Sequence, residues 1–205
     1  MQQLTEGTGS NALVFEFPNE WKVLKYDDSE FYKEKVLKCQ GTKAVDFLVI
    51  EQNRQLWIEV KNFRNYAADN LLRLDSNESH VLGLTETRTH IMENGWDRTV
   101  VVSRKQHFIA DEIALKVRDT CAGVFGAAIQ GDIELQDFAT ALQAHQAIHV
   151  VLFLQQNVAL ENPRDFRRMA QRIGDKIIQQ LGFINATVEV VNRNTLSVNA
   201  QWRVV

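Results

Sequence analysis

The feature that most constrains this chain is a pair of nearly continuous apolar segments, Val45–Ile50 and Gln55–Lys61, joined by the short connection Glu51–Arg54. Side chains alternate between the two faces of a strand, so a segment apolar on both faces belongs in the interior of a sheet covered on both sides. On the first segment Asp46, Leu48 and Ile50 share one face, and Val45, Phe47 and Val49 share the other. On the second, Trp57, Glu59 and Lys61 share a face while Leu56, Ile58 and Val60 point away. Three charged residues are therefore placed within a buried hairpin. Folding it sets Asp46 beside Glu59, with Lys61 about 6.6 Å further along the same face. A buried carboxylate without a partner is costly, so this arrangement demands a metal ion or an opposite charge.

The rest of the chain supplies a setting. Ala12–Phe17 reads as a strand that pairs with Trp21–Tyr26 across a turn at Pro18-Asn19. Asp28 and Ser29 cap a short helix running to about Lys38, and Gly41-Thr42 break the chain before the central hairpin. The stretch 62–105 reads as a surface insertion with local order at Asn70–Leu74 and Ser79–Leu84 and a strand at Arg98–Ser103. Ile109, Ile113, Val117, Cys121, Val124, Phe125 and Ala128 recur at helical spacing from about Gln106 to Gln130. A shorter helix follows at Ile133–His145, then a buried strand at His149–Gln155. Asn162-Pro163, a capping residue followed by proline, opens the last long helix, which ends near Leu181-Gly182. Ala186–Val191 and Thr195–Val204 read as a terminal hairpin. No repeat or linker divides the 205 residues, so one α/β domain over 1–205 is expected, with an insertion at 62–105 and a hairpin at 184–205.

Composition narrows the setting. Two cysteines, Cys39 and Cys121, make neither a disulfide framework nor a zinc pattern, and the five histidines lack ligand spacing. No apolar run is long enough for a membrane span, and the polar start at Met1–Asn11 is unlike a signal peptide. A cytoplasmic or nucleoid-associated protein is expected. The net charge of -3 is not that of a non-specific nucleic-acid coat, yet leaves room for a local basic groove.

Two carboxylates on one face can hold Mg²⁺, or Mn²⁺ in its place, with the backbone carbonyl of Val60 as a further hard oxygen ligand. Such an ion binds a scissile phosphate, acidifies an attacking water and stabilises developing oxygen charge. Lys61 would orient the water or stabilise the phosphorane; a role as general base requires a lowered pKa. Asp46 within AVDFLV followed by Glu59-Val60-Lys61 within WIEVK resembles the PD-(D/E)xK nuclease superfamily. Val45 stands where that motif nominally has proline. The resemblance runs over Ser29–Lys61, with the later helix–strand–helix order in keeping. It implies a restriction-endonuclease-like mixed central sheet flanked by helices, Mg²⁺-dependent phosphodiester hydrolysis, and an acid on the preceding helix. Glu30 is the preferred match for that acid and Glu34, one turn on, the alternative.

The leading expectation is thus a metal-dependent DNA endonuclease in restriction, defence or repair. The alternative is an inactive nuclease-like module that binds nucleic acid or protein. Arg64 beside the motif, and Arg164, Arg168, Arg172 and Lys176 at four-residue intervals on the last helix, are the candidate phosphate contacts. That stripe also reads as an ordinary solvated helix face. Lys116 and Gln106 are candidate supports of the site. A homodimer would let two centres cut opposite strands.

Overall fold

Local pattern decides most elements here, but the pairing of strands is decided by which apolar face each must bury. The structure, a computed structural model, describes residues 1–64, 67–156, 162–184 and 186–205, and their side chains except at 67–69. In chain order the elements are β1 (Gln2–Glu6), β2 (Leu13–Phe17), β3 (Lys22–Lys25), β4 (Phe47–Glu51), β5 (Arg54–Asn62), α1 (Ala67–Leu74), α2 (Leu84–Glu93), α3 (Ile109–Gln130), α4 (Gln136–Gln143), β6 (Ala147–Gln155), α5 (Pro163–Leu181), β7 (Thr187–Val191) and β8 (Arg203–Val204).

Five strands form one sheet in the order β3-β4-β5-β6-β7, and β1-β2-β8 form a second. The central hairpin forms with Phe47 opposite Ile58 and Leu48 opposite Trp57, but its first strand begins at Phe47, and Val45, ahead of it, packs in the core on the side of Leu48 and not with Phe47 and Val49. β3, β4 and β5 are antiparallel, whereas β5-β6 and β6-β7 are parallel, so the large sheet is mixed. Both faces are covered, as the apolar runs require. Leu48, Trp57, Val150 and Leu152 pack with Ile113, Val117, Phe138 and Ile173 of α3, α4 and α5. On the other face Phe47, Val49, Ile58 and Phe153 meet Phe15, Phe17 and Trp202, so a second sheet, not a helix, forms that layer.

Three local expectations are corrected. β2 and β3 do not pair: the turn exists, with the Trp21 N–H donating to the Pro18 carbonyl at 3.3 Å, but it carries the chain from one sheet into the other. Phe15 and Phe17 stack near Trp202 in the small-sheet core, which a β2-β3 hairpin would not permit. The terminal hairpin is absent for the same reason: β7 runs parallel to β6 while β8 joins β2. Asn192 closes the intervening turn, its side-chain oxygen accepting from the backbone of Asn194 and Thr195 at 2.9 Å each. No strand forms at Arg98–Ser103, where Val100 and Val101 are exposed with no apolar layer to bury them. The expected order at Asn70–Leu74 is part of α1, and that at Ser79–Leu84 is a short turn leading to α2.

The start of α5 follows its sequence signal. The Asn162 side chain accepts from the Arg164 N–H at 3.0 Å and Pro163 takes the first helical position. Asn162→Ala is expected to cost about 1 kcal/mol, lowering the melting temperature by about 2–4 °C in a thermal denaturation.

Candidate functional site

Asp46 immediately precedes β4, where the central ladder ends, and its backbone and side chain are both tied down. Its N–H donates to the Ile58 carbonyl at 3.1 Å and its carbonyl accepts from the Tyr26 N–H at 2.8 Å. Its carboxylate Oδ2 accepts from the Val60 N–H at 2.6 Å. The N–H and C=O of one strand residue face the same edge, so the Val60 carbonyl lies on the edge of β5 that faces β4. Glu59, which continues the register opposite Asp46, is fully buried. Its Oε1 meets Lys116 Nζ at 2.6 Å and Lys61 Nζ at 2.8 Å, while its Oε2 has no hydrogen-bond partner. Lys116 Nζ lies 3.8 Å from Asp46 Oδ1. Lys61 also reaches Glu112 of α3 at 2.8 Å, and Glu112 pairs with Arg73 of α1. The Arg73 guanidinium covers the ring of Phe63, which is buried and packs in the core.

Further acids come from outside the central hairpin. Carboxylate oxygens of Glu6, Asp27 and Asp46 all lie within 4.8 Å of one another. Glu6 ends β1, and Asp27 occupies the turn Tyr26–Asp28 that follows β3. Asp27 Oδ1 is buried without a hydrogen-bond partner. The cation beside Glu6 is Lys25, at 3.1 Å from its Oε2. This turn is positioned by Tyr26, a fully buried ring whose hydroxyl fills the space that a side chain on Gly123 of α3 would need.

Asp46, Glu59 and Lys61 are therefore brought together, and Lys116 joins them, whereas Gln106 is exposed. Glu30 and Glu34 are not brought to them. Ser29 caps the helical turn as expected, its Oγ accepting from the Tyr32 N–H at 3.2 Å. That phase buries Phe31 and Tyr32 and leaves Glu30 and Glu34 exposed, Glu34 pairing with Lys38 at 2.6 Å. The segment also widens into a π-type turn over Tyr32–Val36. Glu6, Asp27, Glu112 and Arg73 were not singled out from sequence. The signal for Asp27 lies in its place between β3 and the Ser29 cap, where a polar turn adjoins the central strands.

Arg64 is anchored rather than free, its Nε donating to Asn62 Oδ1 at 3.1 Å beside the Asn11 carbonyl. On α5, Arg168, Arg172 and Lys176 line a cleft of about 450 Å³ with Ser76 and Phe108, and Arg164 lies exposed at the helix start. Arg172 donates to the Leu74 carbonyl at the end of α1 at 2.7 Å. α1 thus stands between the two regions, with Arg73 on the acidic network and Leu74 against the basic stripe. The histidines take other partners: His80 pairs with Asp75, and His149 with Thr187 and Glu189. Cys39 and Cys121 are free thiols.

Electrostatics divides the residues by role. Burial, then the Glu59 charge, raises the Asp46 pKa well above the usual carboxylate range. Burial and the neighbouring Glu6 raise Asp27 to about 6. Burial works against the Lys61 charge, but Glu59 and Glu112 more than offset it and hold Lys61 protonated, above the usual lysine range. Glu112 is half-buried, yet Lys61 and Arg73 bring it down to about 2. A raised lysine pKa suits a fixed positive charge, not a general base. Glu6, Asp27 and Asp46 form a set of hard oxygen donors that could hold a divalent cation of the Mg²⁺ type, and Asp27 Oδ1 among them and Glu59 Oε2 on the adjoining strand are buried without a hydrogen-bond partner.

Searches against protein-family models, curated proteins and solved structures find no match to this chain. Among the described residues, no helix is long and apolar enough to cross a membrane.

Proposed function

We propose that the chain is a metal-dependent DNA endonuclease with a restriction-endonuclease-like core, acting in restriction, defence or repair. The observation that carries this reading is the convergence of Asp46, Glu59 and Lys61 at the end of the central hairpin, where Asp46 is oriented by the Val60 N–H. Asp46, Glu59 and the Val60 carbonyl would hold Mg²⁺ or Mn²⁺, with Asp27 and Glu6 as the additional acids in place of Glu30 or Glu34. When bound, the ion supplies Lewis acidity to a phosphodiester and lowers the pKa of an attacking water.

The protein's own groups account for the remaining work. Asp46 is fixed by its backbone hydrogen bond, which limits the reorganisation needed to accept a cation. Lys61, held charged by Glu59 and Glu112, presents a fixed ammonium that would stabilise negative charge on a phosphoryl oxygen. Arg73 keeps Glu112 paired and so limits how far Glu112 can draw Lys61 away. Arg168, Arg172 and Lys176 offer positive charge along the cleft beside α1, suited to DNA phosphates distant from the cleaved bond. Arg64, tied to Asn62, would meet a phosphate nearer the acids.

The test is cleavage of linear, supercoiled and branched DNA by purified protein with Mg²⁺ or Mn²⁺. Glu59→Gln and Lys61→Ala are each expected to reduce the cleavage rate by about two to three orders of magnitude. Cleavage at the wild-type rate in both variants would refute the active-site assignment. A binding module without catalysis is the second reading, favoured by Glu59 already having two lysine partners. It predicts salt-sensitive DNA binding with no divalent-cation binding above that of Asp46→Ala, measured by calorimetry.

A further inference from the structure

Lys116 occupies an unusual place. Its ammonium sits 2.6 Å from Glu59 Oε1 and 3.8 Å from Asp46 Oδ1, bridging the two acids assigned above to a divalent ion. We propose that Lys116 is a built-in counter-ion that neutralises the Asp46–Glu59 pair without metal and must swing out when a divalent cation enters. The inference rests on the reading of Asp46 and Glu59 as metal ligands and adds a competing group supplied by the protein itself.

The local charges support it. Asp46, Glu59 and Glu112 pair with Lys61, Lys116 and Arg73, and Glu6 and Asp27 beside Asp46 add two acids against Lys25. A divalent cation held by Asp46 and Glu59 would stand beside the Lys116 ammonium that bridges them, a like-charge contact relieved when that ammonium departs. Lys61 is poorly suited to leave, because Glu112 retains it when Glu59 turns to another partner. The ion pairs of Lys116 among the described residues are with the two acids themselves. Its side chain is 15% exposed, which provides a path to solvent, and the flexible four-carbon stem lets the head move while α3 stays fixed. Lys116 thereby sets a threshold: the ion binds only at a concentration sufficient to displace it.

Three measurements on the full chain test this. Calorimetry of Mn²⁺ binding to wild type, Lys116→Met and Lys116→Arg is expected to show about tenfold or greater tightening in Lys116→Met and none in Lys116→Arg. Thermal melting without divalent ion should place Lys116→Met below wild type, with a larger Mn²⁺-induced rise. Affinity unchanged or weakened in Lys116→Met would overturn the proposal and make Lys116 a positioning residue for Glu59. If Lys116→Met does not fold, reductive methylation of wild-type lysines read by peptide mass spectrometry decides the matter. Lys116 is expected to react several-fold faster with saturating Mg²⁺ than without it, and unchanged or slower labelling overturns the proposal. The ligand assignment fails separately if wild type and Asp46→Asn bind Mn²⁺ equally weakly. Under that result, binding that appears in Lys116→Met supports displacement, and binding absent there too overturns it.

Discussion

An Asp46→Asn protein is expected to be more stable than wild type in the absence of divalent cations, and to lose both cation binding and DNA cleavage. The side chain keeps its shape, and the amide oxygen can still accept the Val60 N–H. What disappears is a carboxylate whose charge is disfavoured by burial and by Glu59. Removing an incompletely compensated buried charge should contribute on the order of 1 kcal/mol or more at neutral pH. Mn²⁺ affinity should fall by about a hundredfold or more, since a ligand is worth at least as much as the groups supporting it. Calorimetry and thermal melting measure the two effects on one sample, and an Asp46→Asn variant less stable than wild type at pH 7 would contradict the electrostatic account.

The pH dependence carries the same information. An acid whose folded pKa is raised supports the fold fully at low pH and loses stability as pH rises from its unfolded value toward its folded value. For Asp27 that window runs from 3.8 to about 6, and Asp46 loses stability in the same direction. Glu112 acts oppositely: its lowered pKa contributes stability above 4.5 that is lost as pH falls toward about 2. Metal-free protein should therefore be most stable near the overlap of these windows, at mildly acid pH, and Asp46→Asn should flatten the alkaline side of that maximum.

The second large effect is steric. Gly123→Ala would place a methyl carbon 2.1 Å from the Tyr26 hydroxyl, far inside van der Waals contact. Tyr26 is fully buried, so its ring has little room to retreat. Overpacking of this kind costs about 1–3 kcal/mol, or roughly 2–12 °C in melting temperature for a chain of this size. Asp27 adjoins Tyr26, so cation affinity should weaken alongside stability. Tyr26→Phe should relieve the defect, because the next contact, to the ring carbon, is an ordinary 3.4 Å. Alone, Tyr26→Phe should be neutral or stabilising, since the buried hydroxyl it removes has no hydrogen-bond partner. A double-mutant cycle measures the coupling, and additive effects would reject this contact as the cause.

The central hairpin was legible because Val45–Ile50 and Gln55–Lys61 are too apolar for any position but a covered one, and period two then fixes which charges meet. The start of α5 was legible because a cap and a proline act over three residues. Sheet membership was not. The Pro18 turn looks the same whether β2 and β3 pair or part, and the choice depends on Phe15, Phe17 and Trp202 finding one another across almost the whole chain. The acids follow the same division. Asp46 and Glu59 are related by one hairpin, so their meeting could be counted out in residues. Glu6 reaches Asp46 from a separate sheet, and its short, largely polar strand gives little apolar periodicity to read.

That origin gives β1 a second significance. It lies at the edge of the small sheet with β2 as its neighbour, so its backbone ladder is the sort that frays first. Yet its last residue belongs to the carboxylate cluster that also includes Asp46 from the other layer. An ion shared by Glu6 and Asp46 would act as a rivet through two layers, making the looseness of an edge strand a gauge of how much cation is present.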